Sequence, residues 1–532
     1  MTRRRRILLV VVVLLLLGSG LLLRWVASAT PSIRDSVVTA LNARFDSKVD
    51  LAELQADFFP QPGIDGRGLV LRHNGRTDVP PLITVERFTA NAGIRGLFGR
   101  PVRLRDVTVE GLNVHIPPGG LAGSPGGLAG PESGDEPRRP ADLPPPVPAA
   151  AVPAALPLVI DTIHAPHARL EIASRRAGRL PRTFDIENLL MRRFGTSAGA
   201  TFSAGVINPI PRGRIETSGT FGPWNGADPD LTPIQGEYAF KHANLNDIKG
   251  INGTLASVGT YGGVLRRIDV VGQTETPDFS IDLAGNAVPL TTRFKAIVDG
   301  TNGDTWLDRV EATLAATTIV ASGAVVRTQN IKGRRVSLDL QIENGHIEDL
   351  MRLAVKSGNP LVGRLNLHTK FLLPAGPASV VERLQLTGQF NLTQAKFTSI
   401  DVQRKINLLS SRGKGDQDAD GTGQTVVSHL QGRFALRDAR ITFSELQFAV
   451  PGAVIQLSGT YGLRDELMNF TGFFLADATL ADMTSGVKSL LARIAQPFFR
   501  RPGGGTRIPI RISGPRSNPA FGLDSRRVFN RG

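Results

Sequence analysis

The sequence predicts a mainly β fold: an elongated, curved antiparallel sheet with an N-terminal transmembrane helix and a few amphipathic helices. Three observations carry this expectation. Apolar and polar residues alternate in short runs along most of the chain, the period of a half-buried strand. Glycine (58) and proline (36) make nearly 18% of 532 residues, too much punctuation for a long helical bundle. A ten-residue unit also recurs at a spacing of 44 residues, and a repeated half-apolar unit buries its face only against neighbours.

Arg3, Arg4, Arg5 and Arg6 precede an uncharged run, Ile7–Leu23, followed by Trp25. Seventeen apolar residues are the short end of a spanning helix, with an aromatic where the interface would lie. The arginines predict a cytoplasmic N-terminus and an exported remainder. Ala27-Ser28-Ala29 also fits a signal-peptidase site, so cleavage before Thr30 stands beside the retained anchor over 1–29. Thr30-Pro31 reads as N-cap and first turn of a helix, with Ile33, Val37, Val38 and Leu41 on one face.

After about residue 48 the pattern is strands almost to the end. Leu69-Val70-Leu71, Leu82–Phe88 and Val102–Ile116 are apolar-rich; the last alternates through Val107, Val109, Leu112, Val114 and Ile116, with a slip at Gly111 that reads as a bulge. Together 30–116 form one module. Residues 117–157 are rich in Pro, Gly and Ala and read as a linker. A central β region over 158–380 comes next, and Gly-Thr-aromatic-Gly occurs at Gly219–Gly222, Gly259–Gly262 and Gly459–Gly462. In the last module, 381–532, Gly388-Gln389-Phe390-Asn391-Leu392-Thr393-Gln394-Ala395-Lys396-Phe397 matches the segment from Gly432 to Ile441, each unit restarting after a two-residue step. The alternation places Phe390, Leu392, Phe434 and Leu436 on one apolar face, which could close as a barrel or sandwich or stay open as a trough.

The net charge of +15 sits at the ends. Residues 1–34 carry six basic residues and no acid; 488–532 carry ten basic residues against one acidic, leaving the middle balanced. That distribution disfavours nucleic acid and suits contacts with anionic membrane surfaces at both ends. Val487, Leu490, Leu491 and Ile494 form a helical stripe, Lys488 and Arg493 lie off it, and Phe498, Phe499, Arg500 and Arg501 come directly after. This describes an interfacial membrane helix, or equally a plug capping the sheet.

Chemistry finds no constellation. Cysteine is absent, which removes disulfides, thiolate metal sites and cysteine nucleophiles. Trp and Tyr number 3 each against 25 Phe, a poor basis for a carbohydrate cleft. Gly195-Thr196-Ser197-Ala198-Gly199 matches the nucleophile elbow, but residues 200–206 alternate like a strand where a helix is needed. Asp416, Asp418 and Asp420 open like a calcium loop, yet Val427 stands where the bidentate Glu belongs. Asp161, His164 and His167 are split by Pro166, and Asp228 and Asp230 sit in turn chemistry. The chain is expected not to be an enzyme and to need no cofactor or metal.

The opening (anchor, helix, Phe58-Phe59-Pro60-Gln61-Pro62-Gly63, Leu69-Val70-Leu71) resembles that of AsmA-like proteins. So do Ile94-Arg95-Gly96-Leu97-Phe98-Gly99-Arg100-Pro101 through Val107-Thr108-Val109-Glu110-Gly111, the repeats at 388 and 432, and the ending Ile508-Pro509-Ile510-Arg511-Ile512-Ser513-Gly514-Pro515. The resemblance covers about 1–116 and 380–532; the 117–157 segment departs from it. It implies a single-pass inner-membrane protein, mostly periplasmic, whose taco-like β groove handles phospholipid in outer-membrane biogenesis. The expected groove residues are Phe390, Leu392, Phe397, Phe434, Leu436 and Ile441, and the expected partners are membrane phospholipids and other envelope proteins. A scaffold for outer-membrane protein assembly is the alternative, an envelope hydrolase the weaker one.

Overall fold

The structure is a computed structural model. It describes residues 47–57, 63–73, 80–91, 101–116, 158–172, 182–225, 229–328, 333–355, 360–416, 420–483 and 501–524, apart from 283–284, 423–424 and 502–503, with isolated positions at 34, 35, 38, 39, 42, 77 and 331. Strand accounts for 68% and helix for 10%, so the fold is mainly β, and nearly all its ladders are antiparallel. Two compact units divide the chain: Met1–Ala243 with Ala256–Gly272 and Ile297–Asp304, and Asn244–Leu255 with Gln273–Ala296 and Thr305–Gly532.

The first unit holds β1 (Ser47–Asp57), β2 (Gly63–His73), β3 (Ile83–Asn91), β4 (Val102–Glu110) and β5 (Asn113–Ile116). It continues with β6 (Leu158–Ile172), β7 (Arg182–Phe194), β8 (Ala200–Pro209) and β9 (Arg212–Phe221). Alternation builds its core: Leu51, Ile64, Val85, Phe88, Val107 and Val109 are buried together with Leu158 and Ile160. The slip at Gly111 is a boundary between strands rather than a bulge, for Gly111 adopts φ 64° between β4 and β5. Val38 packs on this core, and Arg34 donates to Leu51 O at 2.6 Å. Residues on both sides of 117–157 share that core, because β6 pairs in parallel with β4, Val102 opposite Leu158. Parallel neighbours need a long crossover, which 117–157 supplies in length; the segment itself lies outside the described residues.

Four strands have residues divided between the units, β10 (Pro233–Asn244), β12 (Thr254–Val264), β13 (Arg267–Ile281) and β14 (Val288–Val298), while β11 (Ile251–Asn252) lies in the second. The second unit then runs β15 (Thr305–Leu314), β16 (Thr317–Arg327), β17 (Arg334–His346), β18 (Leu361–Leu373), β19 (Gln385–Phe397) and β20 (Ser428–Arg437). β21 (Arg440–Val450), β22 (Ala453–Gly462), β23 (Leu467–Ala476), β24 (Thr506–Pro515) and β25 (Ala520–Leu523) complete it. From β15 to β25 each strand pairs antiparallel with the next.

The expectation of strands almost without break is corrected by three helices: α1 (Ile347–Ala354), α2 (Val380–Arg383) and α3 (Ile400–Gly413). α1 turns Ile347, Leu350 and Met351 onto buried Ile342, Leu361, Leu365 and Leu392. It is pinned by Asp349, 4% exposed, whose carboxylate accepts from Ala316 N at 3.1 Å and Thr317 Oγ1 at 2.9 Å. α3 lays Ile406 and Leu409 on Val450, Ala453, Phe448 and Phe474. Its buried stripe is otherwise polar, and Gln403, Asn407 and Ser410 satisfy main-chain groups of Phe397, Val426, Gly421 and Pro451. Among the described residues no helix is long and apolar enough to cross a membrane; the expected anchor and cleavage site in 1–29 lie outside them.

Glu348, on α1, reports on this docking. Burial acts to raise its carboxyl, but hydrogen bonds from its own main-chain N–H, from Gly363 N–H at 3.3 Å and from His346 hold it below the ordinary 4.5. Arg364 donates to His346 Nε2 at 2.9 Å, leaving Nδ1 to donate to Glu348 at 3.2 Å. A depressed folded value stabilises above the unfolded pKa, and the contribution is lost as pH falls through the folded value. The melting-temperature gap between wild type and Glu348→Gln should therefore be open at neutral pH and close as pH falls below the ordinary carboxyl value and through the depressed folded one. A gap independent of pH would refute this.

Candidate functional site

The recurrent unit explains how the second unit builds one continuous apolar face. Its two copies form adjacent antiparallel strands, β19 and β20, with Phe390 opposite Gly432 and Gly388 opposite Phe434. The Phe390 ring lies over Gly432, its Cε1 3.2 Å from where a Cβ would stand, an arrangement that lets an aromatic cover a bare stretch of backbone. At either glycine a side chain would crowd the main chain of the neighbouring strand. A Cβ on Gly388 would stand 2.3 Å from His368 O, and one on Gly432 2.6 Å from Glu445 O. The two copies diverge at the expected two-residue step. Asp438-Ala439, at φ 50° and 55°, is the tight turn between β20 and β21. The matching Gln394, φ 53°, is a bulge inside β19, where register slips between Leu392 and Ala395.

Register carries the face across eight strands. One row runs Leu340, Thr369, Gly388, Phe434, Phe443, Gly459, Phe470, Ile512. The next runs Ile342, Leu367, Phe390, Gly432, Leu446, Leu457, Gly472, Ile510. Rows through Leu436 and Ile441 on one side and through Leu392 and Phe448 on the other flank them. Ring contacts bind the middle: Phe390 lies 6.2 Å from Phe434 and 6.4 Å from Phe443, and Phe443 lies 6.0 Å from Phe470.

Burial along this face is uneven. Leu365 and Leu392, beneath α1, are 3% and 1% exposed. Phe390, Phe434, Phe443, Leu446, Leu457, Ile510 and Ile512 are partly exposed, with Phe470 buried among them. The uncovered middle is an apolar surface that water reaches.

The opposite face is polar. Gln341, His368, Gln389, Arg433 and Glu445 form one row, and Asn366, Asn391, Gln431 and Gln447 another. Cross-strand pairs hold them, His368 to Asp339 at 2.7 Å and Gln431 to Gln447 at 3.2 Å. A depression of about 730 Å³ opens on this side. It is lined by residues of both polar rows and, between them, by Ile342, Leu367, Phe390 and Gly432, with none from the rows through Phe434 and Leu392.

All six expected groove residues lie on the apolar face: Phe390, Phe397, Phe434 and Ile441 partly exposed, Leu392 and Leu436 buried. Sequence reading passed over Phe443, Phe470, Leu446 and Leu457. A bulge between Phe443 and Leu446 reverses the alternation within β21, although Gly459-Thr460-Tyr461-Gly462 did signal β22. Of the expected membrane-contact residues only Arg501 is described, exposed beside Gly505; Val487 to Arg500 lie outside the described residues. Gly195 to Gly199 is a turn from strand β7 to strand β8, with Thr196 Oγ1 donating to Arg193 O and Gly199 O. His164 pairs with Asn188 at 3.0 Å. Asp420, held low by hydrogen bonds from Thr422, closes a local turn; Asp418 is outside the described residues. Among the described residues no three His, Cys, Asp or Glu side chains group to hold a metal. No family model, curated protein or solved structure matches the chain.

Proposed function

We propose that the protein handles lipid without catalysing a reaction. The apolar face of the second unit is the floor of a groove that takes the acyl chains of phospholipid while the headgroup stays in water. One observation carries this reading: the middle of the face is wetter than the end beneath α1. In a closed sandwich or barrel the middle would be the driest part. Each methylene moved from water onto such a surface gains ~0.8 kcal/mol, so a long chain is held with no specific polar contact. The Phe-rich, Trp-poor composition suits this, because rings without polar handles discriminate little among acyl chains.

In this reading Ile7–Leu23 anchors the chain in the inner membrane and the β units stand in the periplasm, as the resemblance to AsmA-like proteins implies. The work served is supply of phospholipid to the outer membrane. Native mass spectrometry of the detergent-extracted full chain tests it. Adducts with phospholipid masses that survive detergent exchange are expected. A chain free of lipid, extracted under conditions that keep lipid on a known carrier, would leave the scaffold and hydrolase alternatives.

A further inference from the structure

The two apolar rows do not stop at β24. Ile512 is opposite Phe521 and Ile510 opposite Leu523, so both rows pass onto β25. There Phe521 is 74% and Leu523 58% exposed. The backbone repeats the message. Asp524 donates its N–H to Pro509 O at 3.1 Å, so alternate residues of β25 turn inward to β24. The N–H and C=O groups of Phe521 and Leu523 therefore point off the sheet. Gly522 stands opposite Arg511, an exposed arginine on the polar face, and offers no side chain to screen it.

The geometry points to β25 as a docking edge for an extended strand of another protein, one that alternates apolar with acidic residues. Its apolar side chains would prolong the rows beyond Phe521 and Leu523. Its main chain would pair the outward amides, and a carboxylate beside Gly522 would meet Arg511. A bilayer fits less well, because hydrocarbon leaves an open strand edge unsatisfied. A second copy fits less well too, since edge-to-edge pairing would bring together two segments that each carry ten basic residues against one acidic over 488–532. This inference does not depend on lipid binding.

The test uses the full chain in detergent and a labelled, end-blocked valine–glutamate alternating heptapeptide, with fluorescence anisotropy as the readout. The peptide should bind. Its lysine-for-glutamate version, its version N-methylated along one edge, and wild-type peptide on Phe521→Asp/Leu523→Asp should each bind at least about tenfold more weakly, with the variant's melting unchanged. No binding, or binding indifferent to N-methylation, would overturn the proposal. Binding that appears only after deletion of 525–532 would assign the edge to the chain's own tail, and a dimer dispersed by Phe521→Asp would assign it to a second copy. Retention on phosphatidylglycerol vesicles that depends on Phe521 and Leu523, without peptide binding, would assign it to a membrane.

Discussion

Leu392→Asp should unfold the second unit, whereas Phe434→Asp should leave it folded and strip it of lipid. Leu392 is 1% exposed beneath α1. Losing its side chain costs about 2–5 kcal/mol, and an unpaired carboxylate buried in its place costs several more. Against a domain stability of about 5–15 kcal/mol, little remains. Phe434 is partly exposed and 6.2 Å from Phe390. Its loss removes a ring pair of about 0.5–1.5 kcal/mol beyond burial, and the new carboxylate keeps water. Bound phospholipid should nevertheless fall at least about tenfold, since a charge then stands in the acyl path. Circular dichroism, protease resistance and phosphorus content of the purified proteins separate the outcomes. Equal collapse of both variants would mean a closed core.

Gly388→Ala should destabilise the second unit by about 2–3 kcal/mol, the scale of forced overpacking. The added Cβ would meet His368 O at 2.3 Å and Thr369 Cβ at 2.6 Å, on a strand held from both sides. Either β18 and β19 separate or the backbone of β18 shifts at His368 and Thr369. For a unit of this size the melting point should drop by about 4–10 °C. Gly522→Ala is the control: nothing lies within 4 Å of its Cβ, and the effect should stay within about 0.5 kcal/mol. Equal shifts for the two would show that glycine entropy, rather than the close approach, governs position 388.

Much of this apolar face is legible in the residue pattern alone. Strict alternation at Phe390, Leu392, Phe434 and Leu436 is a period-two signal that only a strand satisfies, and the 44-residue spacing marks two equivalent strands. That the copies pair, each phenylalanine opposite a glycine, is not legible, because register depends on the turn and the bulge, and Gln394 and Asp438 take those different roles at matching positions. α1 and α3 escape for separate reasons. With eight residues, α1 is too short for its helical period to stand out. The inward stripe of α3 carries Gln403, Asn407 and Ser410 beside Ile406, and so polar a stripe reads as a solvated face until its main-chain partners are seen. The bulge in β21 hides Leu446 by reversing its parity.

The central claim is that phospholipid acyl chains lie on one face of the second unit. Photocrosslinking of the full chain in phospholipid membranes tests it most directly, with benzoyl-phenylalanine placed at position 443 on the apolar face and, separately, at exposed position 433 on the polar face. Phospholipid adducts from position 443 and none from position 433 are predicted. Adducts from neither position, or from both equally, would contradict the account.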